Sequence, residues 1–324
     1  VFLVAPDKFK GTFTAAEVAS LIAAGISDGG AEAVGLPVAD GGDGTAASLL
    51  AALGGEWKEA PAVDVMGRPV TGRYAALDDG RAVVELAAVA GLAGADPGSL
   101  DPLAATTRGA GMLVAAAVQA GAEEVIFAPG GSASTDGGAG LLEVLAEAGL
   151  RPEITVACDV GHHFLEAATV FAPQKGADPE QVHRLAARLD RLAGSFPRDP
   201  RGVPRTGCGG GVSGGLWAGL DAELASGAGL VLDAIGFDQA LGRCDAVVTG
   251  EGKLDDQTAK GKAVAVVAAR ARGAGRPCDA VAGRLALPSP GMAALGLRRV
   301  IEAGTPEEIR DAGRRLAGRD GNDG

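Results

Sequence analysis

The chain reads as an α/β protein built on mainly parallel sheets, and three observations lead there. Short apolar runs at 1–4, 124–128 and 246–249 end at Pro, Asp or Gly without polar alternation, as strands covered on both faces do. Stretches with helix-start signals lie between such runs. The resulting order of strand, helix, strand, helix requires crossover connections. Residues 61–92 depart from this rhythm, so a second unit is inserted into the first or follows it.

In chain order, 1–4 is a strand ending at Pro6-Asp7. Thr14, with Glu17 three residues on, has the form of a capping box and predicts a helix to about Ser27. A strand at 34–38 runs into A-D-G-G-D-G-T (39–45), and an alanine-rich helix follows over 46–53. Residues 63–65, 70–77 and 81–86 read as extended strands, with a hairpin turn at Asp79-Gly80. A helix over 107–120 leads to the strand 124–128, then P-G-G-S-A-S-T-D-G-G-A-G (129–140), a helix to about Ala148 and a strand at 154–158. Residues 180–193 form an Arg/Leu amphipathic helix. The Pro/Gly/Arg-rich segment 195–215 is expected to be a mobile or ligand-ordered loop. A late strand at 246–249, a helix over 258–272, a strand near 279–282 and a helix over 306–317 complete the chain, and 319–324 is expected to fray.

With 324 residues, 47% hydrophobic and 22% charged, the chain can bury one large or two medium cores and is not a disordered polymer. Aromatics make up 3%, so Val, Leu, Ile and Ala carry the core and let helices approach sheets closely. A net charge of −12 argues against nucleic acid and against an anionic membrane surface as partners, but leaves room for a small anionic substrate in a locally basic pocket. The four cysteines, Cys158, Cys208, Cys244 and Cys278, form no C-x-x-C pair. That pattern fits neither a zinc site nor a disulfide framework, and is consistent with a cytoplasmic protein.

Six of the seven lysines sit in glycine- and aspartate-rich segments at strand ends, Lys8, Lys10, Lys175, Lys253, Lys260 and Lys262, and elsewhere the positive charge is nearly all arginine. An ammonium on a flexible stem suits a phosphate or carboxylate. Acidic residues gather at the same ends: Asp7, Asp40 with Asp43, Asp136, Asp159, and Glu251 with Asp255. In open parallel sheets, ligands bind outside the carboxyl ends of strands.

Two of these loops have competing readings. In G-G-S-A-S-T-D-G-G-A-G the glycines could bring backbone N–H groups to an anion at a helix N-terminus, with hydroxyls from Ser132, Ser134 and Thr135. It could equally be a tight turn in which Asp136 caps the helix. It matches neither G-x-G-x-x-G nor the Walker pattern. A-D-G-G-D-G-T resembles the D-x-D-G-T loop of haloacid-dehalogenase-type phosphatases, but Asp40 and Asp43 stand three apart instead of two. Alternating side chains of an extended segment would then point to opposite faces. Asp159 followed by His162-His163 has no further ligand set to suggest a metal, and His183 falls on the amphipathic helix.

Taken together, A-P-D-K-F-K-G-T, V-A-D-G-G-D-G-T, G-G-S-A-S-T-D-G-G-A-G, V-A-C-D-V, F-A-P-Q-K-G-A and V-T-G-E-G-K-L-D resemble the bacterial type I glycerate kinase family, in the family's order over residues 5–255. The resemblance implies a two-domain α/β build with one domain inserted into the other and the active site in the interdomain cleft. The expected domains are 1–62 plus 240–324, and 63–239 carrying the Gly-rich loop. It also implies phosphorylation of D-glycerate from ATP with Mg²⁺; the alternatives are a kinase of the same build for another small hydroxy acid, or a divergent relative that binds a sugar acid or nucleotide without turnover. On this reading Asp7, Lys8 and Asp40 are catalytic, with an aspartate orienting or deprotonating the hydroxyl. Lys10, Gly41, Gly42, Asp43, Gly130, Gly131, Ser132, Ser134, Thr135, Gly137, Gly138, Gln174, Lys175, Gly250 and Gly252 bind substrate or ATP, and Mg²⁺ draws on Asp136, Asp159 and Glu251. The chain departs from the family where Asp43 replaces a usual Glu, Thr135 a usual Asn, and Gly161-His162-His163 a run toward Asn-Pro. Several tens of residues usual before the A-C-D-V strand are reduced to 149–153, and the match weakens beyond Ala282-Gly283.

Overall fold

The computed structural model describes residues 1–93, 98–256, 258 and 261–318; Lys260 and the tail 319–324 lie outside the described residues. The chain divides into two compact units, 1–40 with 228–324, and 41–227.

In the first unit, β1 (Phe2–Pro6), β2 (Ala33–Gly35), β9 (Ala246–Glu251), β10 (Cys278–Ala282) and β11 (Leu297–Glu302) form a sheet in the order β11-β10-β9-β1-β2. All of its pairings are parallel. Both faces are covered. Leu3, Ala5, Val247 and Ala280 pack with Val264, Val267 and Phe237, whereas the intervening Val4, Val248 and Val281 pack with Val18, Ile22, Ile309 and Leu316. That two-sided burial is why these strands read as unbroken apolar runs. The helix Ala15–Asp28 starts with the expected Thr14–Glu17 capping box, and Pro306–Ala317 has its own box from Thr305 and Glu308.

In the second unit, β3 (Gly55–Val63), β4 (Pro69–Leu77), β5 (Arg81–Glu85), β6 (Glu124–Ala128), β7 (Glu153–Cys158) and β8 (Glu223–Ser226) lie in sequence order across one sheet. β3–β4 and β4–β5 are antiparallel, and the remaining pairs are parallel. The helices Arg108–Gln119 and Ala139–Glu147 make the crossovers, and the short turn at 149–153 leads directly into β7.

The unit boundaries differ from 62/63 and 239/240. β3 pairs along its whole length with β4, which draws 41–62 into the second unit. Ala228, Leu232 and Phe237 are buried with Leu3 and Val247, which draws the helices Gly227–Ala234 and Phe237–Leu241 toward the first. β3 is mostly exposed and polar, so its apolar signal begins only near its end. The segment 195–215 also departs from expectation. Residues 208–211 form a 3₁₀ turn and Val212–Leu220 a helix, mostly buried. Its glycines permit backbone contact: a Cβ on Gly210, at φ +73°, would lie 2.0 Å from the Ser134 carbonyl oxygen.

Candidate functional site

In the first unit the site residues collect at the carboxyl ends of β1 and β9. Pro6 is in register with Gly250, and Asp7 N–H donates to the Gly250 carbonyl at 2.8 Å. Beyond them D-K-F-K-G-T closes a tight turn in which Phe9 and Phe13 pair their backbones and Thr12 Oγ1 donates to the Phe9 carbonyl. Phe9 is buried, whereas Lys8 is half-buried and Lys10 exposed. Gly252 lets its strand end pass against this turn, since a Cβ there would stand 2.9 Å from Lys10 N. Gly250 likewise faces the Val281 carbonyl, where a Cβ would lie 2.3 Å away.

Three carboxylates share this end. Asp7 is buried, and desolvation raises its pKa well above the usual carboxylate value. Asp40 and, less strongly, Glu251 add to the rise, opposed by Lys8 and by its own acceptance of the Lys8 N–H at 2.7 Å. Glu251 is pushed up to about 7, chiefly by burial, although Thr258 Oγ1 donates to Oε1 and Lys262 Nζ stands 3.9 Å from Oε2. Lys253 pairs with Asp255 at 2.8 Å. Like charges held out of water favour a bound proton or an arriving cation.

In the second unit two glycine-rich loops meet. Gly130 N–H faces the Gly41 carbonyl at 3.5 Å, and a Cβ on Gly130 would lie 2.5 Å from the Gly42 Cα and 3.3 Å from Asp159 Oδ2. Gly41 has φ +99° and abuts the Ala157 carbonyl. The 130–140 segment is bonded both within itself and to neighbouring segments. Ala133 N–H donates to the Ala90 carbonyl, Ser134 N–H to Ser132 Oγ, and Gly137 N–H to the Gly210 carbonyl. Ser134, Thr135 and Asp136 are buried, and Gly131 is exposed.

Asp136 Oδ2 accepts from Thr107 N and Oγ1, each at 2.8 Å, and from Gly140 N at 3.2 Å, while Oδ1 accepts from Gly138 N at 3.0 Å. Four donors converge on this one buried carboxylate, which holds the helix start. Lys175 is turned inward too. Its Nζ donates to the Ser134 carbonyl and approaches Thr135 Oγ1 at 3.4 Å. Burial pushes its pKa down to about 8, against the pull of Asp136 and Asp159. Gln174 beside it is exposed. His163 binds Glu166 through Nδ1 at 3.2 Å, His162 meets Phe171 edge-on, and His183 is exposed. Among the described residues no group of three or more His, Cys, Asp or Glu side chains is arranged to hold a metal ion.

Asp43 lies on a different wall. With Glu59, Thr71, Arg73, Glu85 and Ala88 it lines a cavity of about 320 Å³, near the lower end of small-ligand pockets. Arg73 is stacked over the Trp57 ring, 4.3 Å from its centroid. Sequence reasoning passed over Glu85, Thr107 and Thr258. Only Glu85 left a trace, as an acidic residue ending the apolar strand A-V-V-E.

These features define an α/β protein whose chemistry-bearing side chains sit at the carboxyl ends of parallel strands. The sequence profile of the Glycerate kinase family matches residues 2–152 and 145–315, and the chain belongs to that family. The two matched stretches overlap over 145–152, at the end of helix Ala139–Glu147 and the short turn before β7. A glycerate kinase of Bacillus subtilis (strain 168) is 35% identical over 326 residues, spanning 87% of this chain and 85% of the relative. A glycerate 2-kinase of Escherichia coli (strain K12) is 33% identical, spanning 87% and 85%. A crystal structure from Salmonella typhimurium LT2, provisionally named glycerate kinase 2, superposes with a TM-score of 0.80 at 32% identity, covering 98% of this chain and 96% of that one. Among the described residues no helix is long and apolar enough to cross a membrane.

Proposed function

We propose that this chain transfers the γ-phosphoryl group of ATP to a hydroxyl of D-glycerate. The observation that carries the reading is Asp7, buried at the end of β1 with a raised pKa and two further carboxylates around it. A carboxylate whose pKa is raised is a stronger base than an ordinary one, which suits it to take a proton from an alcohol. Asp7, with Asp40, orients the attacking hydroxyl and takes its proton. Lys8 and Lys10 neutralise a phosphate or the acid's carboxylate. Asp43, Gly130 and Gly131 are assigned to substrate or nucleotide binding. The crowding of buried carboxylates around Asp7 and Glu251 fits an incoming cation, so Glu251 is assigned to Mg²⁺ and Asp136 is not. Bound with the nucleotide, Mg²⁺ would neutralise phosphate charge. Ser132, Ser134, Thr135 and Lys175 shape the loop from within.

Phosphorus NMR of ATP, Mg²⁺ and D-glycerate with the enzyme tests the reading. A phosphomonoester signal that depends on glycerate is expected, and its proton coupling separates 2- from 3-phosphoglycerate. The name of the E. coli relative favours the 2-product. ATP turnover that is indifferent to glycerate but follows another hydroxy acid in a panel would reassign the acceptor. Lys8→Ala or Asp7→Asn retaining near-wild-type kcat would overturn the assigned roles, because each is expected to lose about a hundredfold.

A further inference from the structure

The helix Thr45–Leu53 follows directly on A-D-G-G-D-G-T, yet its first turn has no cap of its own. Gly44 stands at the cap position with φ +97° and offers no side chain. A carboxylate from the end of β5 does the work. Glu85 Oε1 accepts from Gly44 N at 2.9 Å and from Ala46 N at 2.8 Å, and the residue is only 9% exposed. Thr45 Oγ1 braces the same turn from inside, donating to the Gly42 carbonyl at 2.7 Å. Asp43 is the residue immediately before this clamped segment, and Asp43 and Glu85 line the same cavity.

A buried carboxylate on helix-start amides makes charge-assisted hydrogen bonds, the strongest kind available to a cap. It also occupies the donors that would otherwise attract an external anion, so phosphate is steered away from this N-terminus. We propose that Glu85 is a positioning residue, holding the Asp43–Ala46 turn so that the Asp43 carboxylate keeps one orientation at the cavity wall. This rests on the glycerate kinase reading for its consequence in turnover, but the clamp itself is a property of the folded chain.

The test compares Glu85→Ala, Glu85→Gln, Asp43→Ala and the Glu85→Ala/Asp43→Ala double variant in kinetics with ATP and D-glycerate, together with amide hydrogen exchange. Glu85→Ala is expected to lower kcat by about 10- to 100-fold, the scale of a misplaced group, and to speed exchange over 43–47. Glu85→Gln keeps an amide oxygen able to accept both N–H groups. It is expected to stay within about threefold of wild type, neutral bonds being about half as strong as charge-assisted ones. The double variant is expected to fall no more than about threefold below Asp43→Ala alone, the mark of two residues acting through one group.

Full multiplication of the two single losses would overturn the proposal. So would an Asp43→Ala variant with wild-type kcat, or a folded Glu85→Gln variant as damaged as Glu85→Ala. Glu85→Met, which keeps volume and drops the acceptor, replaces the alanine variant where that one does not fold. A wild-type protein inactive on glycerate would overturn the functional reading alone. Exchange over 43–47 then decides the clamp, unchanged rates in Glu85→Ala refuting it.

Discussion

Replacing Glu251 by glutamine removes a titratable group from the end of β9 while keeping its shape and its ability to accept from Thr258. Glu251 has a pKa of about 7 in the folded chain against an ordinary 4.5. That rise corresponds to about 3 kcal/mol between the charged and neutral forms, at about 1.4 kcal/mol per pH unit. The folded pKa is the higher one, so this group's contribution to stability is fully present below about pH 4.5 and is lost as pH rises through 7. Glutamine mimics the neutral form at every pH. The variant should therefore match wild type near pH 4.5 and exceed it by about 3 kcal/mol near pH 8.5. The choice of probe matters. Trp57 and Trp217 both lie in the 41–227 unit, so indole fluorescence does not report on β9. Amide hydrogen exchange of the 246–251 strand in graded urea, run at several pH values, reads the right unit. A stability difference between variant and wild type that stays constant from pH 4.5 to 8.5 would refute the argument that burial penalises the Glu251 charge.

Three further outcomes concern the second unit, where fluorescence does serve. Asp136→Ala strips four donors of a buried acceptor and should cost about 3 kcal/mol or more, seen as a lower urea midpoint; a shift under about 1 kcal/mol would mean that water replaces the carboxylate. Gly210→Ala should cost about 3 kcal/mol or more through its clash with Ser134. Gly149→Ala, at φ +68° but in open space, should cost only about 1 kcal/mol, and equal midpoints for the two would refute the close-packing account. For Lys175→Met the sign is worked from a folded pKa of about 8, below the ordinary 10.5. The burial penalty on the ammonium is full below about pH 8 and fades toward 10.5, so wild type should gain up to about 3 kcal/mol on the variant across that window; a flat difference would refute it.

Much of the fold was legible because local signals agreed with tertiary ones. The Thr14–Glu17 box, the 124–128 strand and the 306–317 helix lie where periodicity and capping chemistry place them. β3, β8 and β11 were not legible. β3 is largely exposed and polar, β8 and β11 are only partly buried, and what makes each a strand is its partner. The 207–215 run was misread for a related reason. Glycines that promise mobility in isolation are, at Gly210 and Gly215, the residues that let two backbones touch.

The candidate site divides along the same line. The order of the strand-end motifs, their acidic and lysine content and the family they belong to were written in the chain itself, since each is a local run of a few residues. The surroundings of each carboxylate were not. Asp136 and Asp7 look alike as letters, but Thr107, twenty-nine positions from Asp136, turns one into a cap, whereas burial, with Asp40 and Glu251 adding to it, raises the pKa of the other. The charge state and hydrogen-bond load of a side chain depend on its neighbours in space, and only folding brings Glu85 to Gly44 or Thr258 to Glu251.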